Sequence, residues 1–98
     1  MDKKYFVLYL RPCRPDFAQT MSDKERNIMQ QHVAYWAKYL EQGIMLVFGP
    51  VYDPSGAYGL GIVAADSEEQ LLSLMANDPA SEINKYEHFP MRAVMAPK

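Results

Sequence analysis

Two residues have the types that a proton-transfer site needs: His32, in the segment MQQHVAYW, and Asp78, in the run Asn77-Asp78-Pro79. Imidazole exchanges a proton near neutral pH without special tuning, and a carboxylate on one ring nitrogen fixes the tautomer and leaves the other nitrogen to act as acid or base. Each residue also has a plainer explanation. A lone His beside Ile28, Tyr35 and Trp36 fits a half-buried side chain with one satisfied hydrogen bond. Asn-Asp-Pro is an ordinary helix-ending turn in which Asp binds its own backbone. The two stand far apart in the chain, so only the fold can decide whether they meet.

Other residues could assist such chemistry. Arg11 and Arg14, in RPCRPDFAQT, carry the forked donors that bind a carboxylate or a developing enolate; the alternative is two surface arginines on a loop. Tyr35 has the position to line a cleft, whereas Trp36 reads as core. The backbone around Gly49 and Pro50 is a further candidate for contact with the substrate, as a source of donors toward an oxyanion. His88, between Glu87 and Phe89, reads as solvated or at an interface. Two His and one Cys show no ligand spacing, so no metal site is expected, and Cys13 has no His beside it in sequence to activate it. Gly59 and Gly61 lie inside a strand pattern and do not lead into a helix, so they form no phosphate loop, and no cofactor is expected.

The elements that must position these residues follow from periodicity. Tyr5–Leu10 (YFVLYL) is a continuous apolar run stopped by Pro12, long enough for a strand and short for a helix. Arg11–Thr20, with two prolines, reads as an ordered loop. Ser22 and Glu25 have capping-box spacing, Ile28, Met29, His32, Val33, Trp36 and Leu40 repeat at helical intervals, and Gly43 supplies the stop. Ile44–Phe48 is a second strand ending at Gly49-Pro50, and Asp53-Pro-Ser-Gly56 turns the chain into a third, Tyr58–Ala65. Ser67 and Gln70 predict a second capping box opening a short helix, and Tyr86–Met95 a last strand in which Pro90 requires an edge or a bulge. Gly59 and Gly61 share one face of the third strand and leave room for a close approach.

The order β-α-β-β-α-β predicts an α+β, ferredoxin-like fold: a four-stranded antiparallel sheet with two helices on one face. Strand one would then present Phe6, Leu8 and Leu10 on one face and Tyr5, Val7 and Tyr9 on the other. Strand two would set Ile44, Leu46 and Phe48 against Met45 and Val47. An apolar sheet face without helices calls for a partner, and the simplest is the same face of a second copy, giving a homodimer or a larger assembly.

Composition narrows the function classes. The chain has 98 residues, the length of a single domain spanning 1–98, and 49% hydrophobic against 22% charged residues argues against a disordered segment. A net charge of −2 without a basic stripe disfavours nucleic acid as a partner. No apolar run is long enough for a membrane span and the first residues do not form a signal segment. One cysteine offers no internal disulfide, so the expectation is a cytoplasmic protein with a small-molecule ligand.

Taken together, the apolar first strand, His32 in MQQHVAYW, Gly49-Pro50, the third strand YGLGIV and Asp78-Pro79 resemble the YCII-related (YciI-like) family over nearly the whole chain. The resemblance implies a dimeric α/β barrel and an active-site His and Asp pair, carried onto His32 and Asp78, in a superfamily that includes muconolactone isomerase-like enzymes. Many relatives have an aromatic residue after Asp-Pro where this chain has Ala80, which implies a more open pocket wall. The function expected is general acid/base chemistry on a small organic acid: isomerisation, lactone chemistry or dehydrohalogenation. The alternative is a non-catalytic dimeric module that binds a small metabolite or serves a structural role.

Overall fold

Alternation along KYFVLYLR resolves into two faces once the strand is paired. In the computed structural model, which describes residues 2–97, β1 (Lys4–Arg11) buries Phe6, Leu8 and Leu10 and leaves Tyr5, Val7 and Tyr9 partly exposed on the other side. With β2 (Met45–Val51), β3 (Tyr58–Ala65) and β4 (Lys85–Met91) it forms a four-stranded sheet in the order β2-β3-β1-β4, antiparallel throughout. The helices are α1 (Phe17–Thr20), α2 (Asp23–Glu41) and α3 (Glu68–Ala76), and a 3-10 turn, Pro79–Glu82, precedes β4. Phe6, Leu8, Met45, Val63 and Ala65 from the sheet pack with Trp36 of α2 and Leu71, Leu74 and Met75 of α3 in one buried cluster. This is the α+β, ferredoxin-like fold that the element order predicts.

Local chemistry sets the ends of α2. Ser22 Oγ accepts from the Glu25 N–H at 3.1 Å, and Glu25 Oε1 accepts from the Ser22 N–H at 2.8 Å, the reciprocal pair of a capping box. At the other end Gly43 has φ 76°, and the N–H groups of Gly43 and Ile44 return to the carbonyls of Leu40 and Tyr39. That left-handed step satisfies the last carbonyls and turns the chain into β2. Opening α3, Ser67 Oγ accepts from the Gln70 N–H, but Gln70 Oε1 takes the N–H of Asp66, so the expected second box is only half made.

Four other expectations need correction. The last strand, expected to reach Met95, ends at Met91. The segment expected to be a loop contains α1. β2 runs through Gly49 and Pro50 to Val51; as β2 and β4 are the two edge strands, the missing N–H groups of Pro50 and Pro90 are tolerated there. A register shift between Met45 and Val47 inserts one residue against β3, so Met45 pairs with Val63 and Phe48 with Gly61, both on the helix side. The bulge breaks the alternation and puts Phe48 on the same face as Met45, not opposite it. A Cβ on Gly61 would lie 3.0 Å from Met45 Cε and 3.5 Å from Phe48 Cβ, so those side chains occupy the room the glycine leaves.

Candidate functional site

Asp78 is held before it meets any other element. It caps the 3-10 turn, with Pro79 in the first position, and its Oδ1 accepts from the Ala80 N–H at 3.0 Å. Oδ2 is left to face α2 and β4. There it accepts from His32 Nδ1 at 2.7 Å, from Trp36 Nε1 at 3.0 Å and from the Tyr86 hydroxyl. One oxygen thus serves the helix-ending turn and the other meets His32 across the fold. His32 and Trp36 are one turn apart on α2 and present their N–H groups together, while Tyr86 arrives from β4 and also accepts from Trp36 Nε1 at 3.1 Å.

The carboxylate is only 1% exposed. Burial pushes its pKa up, but the bonds from His32, Tyr86 and the Ala80 N–H outweigh that and hold it below the ordinary value. Burial, with the neighbouring carboxylate, pushes the Tyr86 phenol up, so Tyr86 keeps its proton as a donor. An ionised carboxylate only accepts, so the shared proton belongs to His32 Nδ1 and a neutral ring has its lone pair on Nε2. No buried side-chain nitrogen or oxygen lacks a partner among the described residues, and Nε2 has none; it is accessible, not sealed in.

What it reaches is a cavity of about 250 Å³ between α2, the sheet and the α1 segment. Its walls are mainly apolar: Leu8, Leu10, Met29, Met45 and Phe48, with Pro12, Phe17, Ala18 and Met21 from the α1 segment. The polar side chains on it are those of His32, Trp36, Asn84 and Tyr86, and no Lys, Arg, Asp or Glu lines it among the described residues. Asp78 stands behind the wall. The α1 segment is fastened by Arg14, whose two terminal nitrogens fork onto Glu25 at 2.8 and 2.9 Å and whose Nε donates to Thr20 Oγ1. It is also tied by the Cys13 N–H to Asn84 Oδ1 at 3.2 Å.

The cavity brings together His32, Gly49 and Pro50 of the residues singled out in the sequence, with Asp78 behind them. Arg11, Arg14 and Tyr35 are not on it. Arg11 shares its strand parity with Tyr5, Val7 and Tyr9, so it projects from the other face of the sheet, over the rings of Tyr9 and Tyr58 and against Glu87. Arg14 is occupied by Glu25. The Tyr35 hydroxyl donates to the Leu74 carbonyl at 2.6 Å and its ring packs on Trp36 and Tyr39; burial, then Tyr39, pushes its pKa up. Ala80 is fully buried behind Asp78 and does not border the cavity, so it opens no wall.

Sequence reasoning missed Trp36 and Tyr86 as partners of Asp78, and missed Asn84 entirely. Helical spacing places Trp36 one turn from His32, and that signal was present. Tyr86 and Asn84 lie where the chain leaves the 3-10 turn for β4, and nothing in the local sequence marks them.

No group of three or more His, Cys, Asp or Glu that could hold a metal ion occurs among the described residues. Nor is any helix among them long and apolar enough to cross a membrane.

The fold is an α+β, ferredoxin-like one, with His32 joined to buried Asp78 beneath an apolar cavity. The YCII-related domain profile matches residues 5–94, and the chain belongs to that family. A search of curated proteins finds no match.

Proposed function

We propose that the cavity is an active site in which His32, oriented by Asp78, moves a proton to or from a small molecule. The observation that carries this reading is the bond from His32 Nδ1 to a buried carboxylate, with Nε2 left accessible on an apolar cavity. In this mechanism Nε2 takes a proton from a C–H or O–H of the substrate. The imidazolium formed is stabilised by Asp78 through the Nδ1–H bond, and the proton is then delivered to another atom of the same molecule. Isomerisation, lactone chemistry and elimination all need such a shuttle. Gly49 and Pro50, on the cavity wall, are proposed to contact the substrate.

Exchange of C–H protons into deuterated water, followed by NMR over a set of small carbonyl compounds, tests the reading. His32→Gln and Asp78→Asn should each slow exchange by about 100-fold or more. A double variant exchanging at the rate of the unaltered protein would sink it. The non-catalytic alternative uses the same cavity and is favoured by saturable binding without exchange.

The other sheet face supports a homodimer as the working form. Tyr5, Val7, Tyr9, Leu60 and Ile62 are only partly covered there, and Val47 and Phe89 are more than half exposed. A second copy of the same face would cover them by two-fold symmetry. Sedimentation should give a dimer mass for the unaltered protein and a monomer for Phe89→Glu; a monomer for both removes this part of the proposal.

A further inference from the structure

The cavity that holds His32 has a chemical character of its own, and it differs from the small organic acid expected from the sequence. Both arginines that would have bound an acid are engaged elsewhere, Arg11 with Glu87 on the far face of the sheet and Arg14 with Glu25. A fixed anion, Asp78, stands directly behind the wall, bonded to His32, Trp36 and Tyr86. Even with a protonated ring the His32–Asp78 pair is at most neutral overall. An anionic ligand would therefore give up its water to meet no compensating cation.

One polar group on the wall is poorly used. Asn84 is 9% exposed; its Oδ1 accepts from the Cys13 N–H, while its Nδ2 has only the thioether sulfur of Met29, at 3.6 Å. Sulfur is a weak acceptor, so a buried amide donor is left nearly unpaired beside an apolar cavity. Met29 and His32 are three residues apart on α2, hence neighbours on one helix face. The underused donor and His32 thus border the same cavity of about 250 Å³. A 150 Å³ apolar cavity takes benzene; by that measure the roughly 250 Å³ here holds about ten non-hydrogen atoms.

We infer that the cavity binds an uncharged ring compound of about ten non-hydrogen atoms, whose carbonyl oxygen accepts from Asn84 Nδ2 and whose adjacent carbon faces His32. The second half of this statement rests on the proton-transfer reading above; the ligand class does not. Asn84 acts as the binding donor, Leu10, Met45 and Phe48 enclose the ring, and the carbon next to the carbonyl is the one whose proton His32 Nε2 removes. The electron pair left behind moves onto the carbonyl oxygen, held by the Asn84 N–H, and returns when the carbon is reprotonated.

Three probes of similar size separate the contributions: acetophenone, benzoate and toluene, titrated calorimetrically into the unaltered protein in deuterated buffer near neutral pH. Acetophenone should bind about tenfold or more tightly than benzoate, and about tenfold more tightly than toluene, a factor typical of one hydrogen bond to a buried donor. Asn84→Asp keeps an acceptor for the Cys13 N–H but removes the amide donor, and should bring acetophenone down to the affinity of toluene. Benzoate binding as well as acetophenone, or no saturable binding by any probe, overturns the inference. Equal binding of acetophenone and toluene overturns the role of Asn84. The ligand series needs no variant to fold. NMR of the same samples reads exchange at the acetophenone methyl group. Selective binding without exchange leaves the ligand class standing and counts against proton transfer, whereas exchange without selectivity does the reverse.

Discussion

Two imidazole–carboxylate pairs occur among the described residues, and they differ in almost everything except chemistry. His32 meets Asp78 at 2.7 Å and His88 meets Glu68 at 3.0 Å. In the first pair the side chains are 12% and 0% exposed, in the second 25% and 61%. Asp78 is rooted in a turn that its own Oδ1 caps, and its Oδ2 serves three donors. Glu68 is the first residue of α3, on a longer stem, with one bond to His88. What makes one histidine a candidate for chemistry and the other a surface residue is the fixing of the carboxylate, not the histidine itself.

Removing the better-fixed carboxylate should have the largest effect. Asp78→Ala leaves the N–H groups of His32 and Ala80 and the Tyr86 hydroxyl without their acceptor, and the Trp36 N–H with only Tyr86, and is expected to cost about 3–5 kcal/mol in urea unfolding. A loss below about 1 kcal/mol would erase the distinction between the pairs. The same contrast extends to acid. Because the folded-state pKa of Asp78 lies below its unfolded value of roughly 3.9, its contribution is complete above that pH and is lost as pH falls through the lowered value. Asp78→Asn should flatten the acid limb of the stability curve, measured by denaturant midpoints between about pH 5 and 2.

Tyr86→Phe removes one of the Asp78 donors and one of the two acceptors of the Trp36 N–H, while the bonds of His32, Trp36 and Ala80 to Asp78 remain, and should cost about 1–2 kcal/mol. Glu68→Gln alters only a solvent-facing pair and should change stability by less than about 0.5 kcal/mol. A ranking with Glu68 above Tyr86 would overturn the comparison.

Much of this was legible in the sequence, and the reasons for the remainder are physical. β1, α2 and β3 follow from apolar period, capping residues and Gly43, all of which act locally. The β2 bulge inserts a residue that Ile44–Phe48 does not announce, because every residue there is apolar and a slip leaves the pattern unchanged. The meeting of His32 with Asp78 was an open alternative, since the deciding contacts come from elements far apart in sequence. Arg11 shows the converse. Its place on the far side of the sheet follows from simple alternation with Tyr9, and the attraction of an arginine as a hydrogen-bond donor to an anion hid that parity. Asn84 had no signal at all; its position matters only because the Cys13 N–H and Met29 converge on it.

Trp36 is the chain's one tryptophan, its indole N–H lies on Asp78, and its ring borders the cavity. The protein therefore carries a single indole fluorophore wired to the carboxylate and to the binding space. Its emission can follow protonation of Asp78 and occupancy of the cavity in one cuvette, without a label and without interference from a second indole.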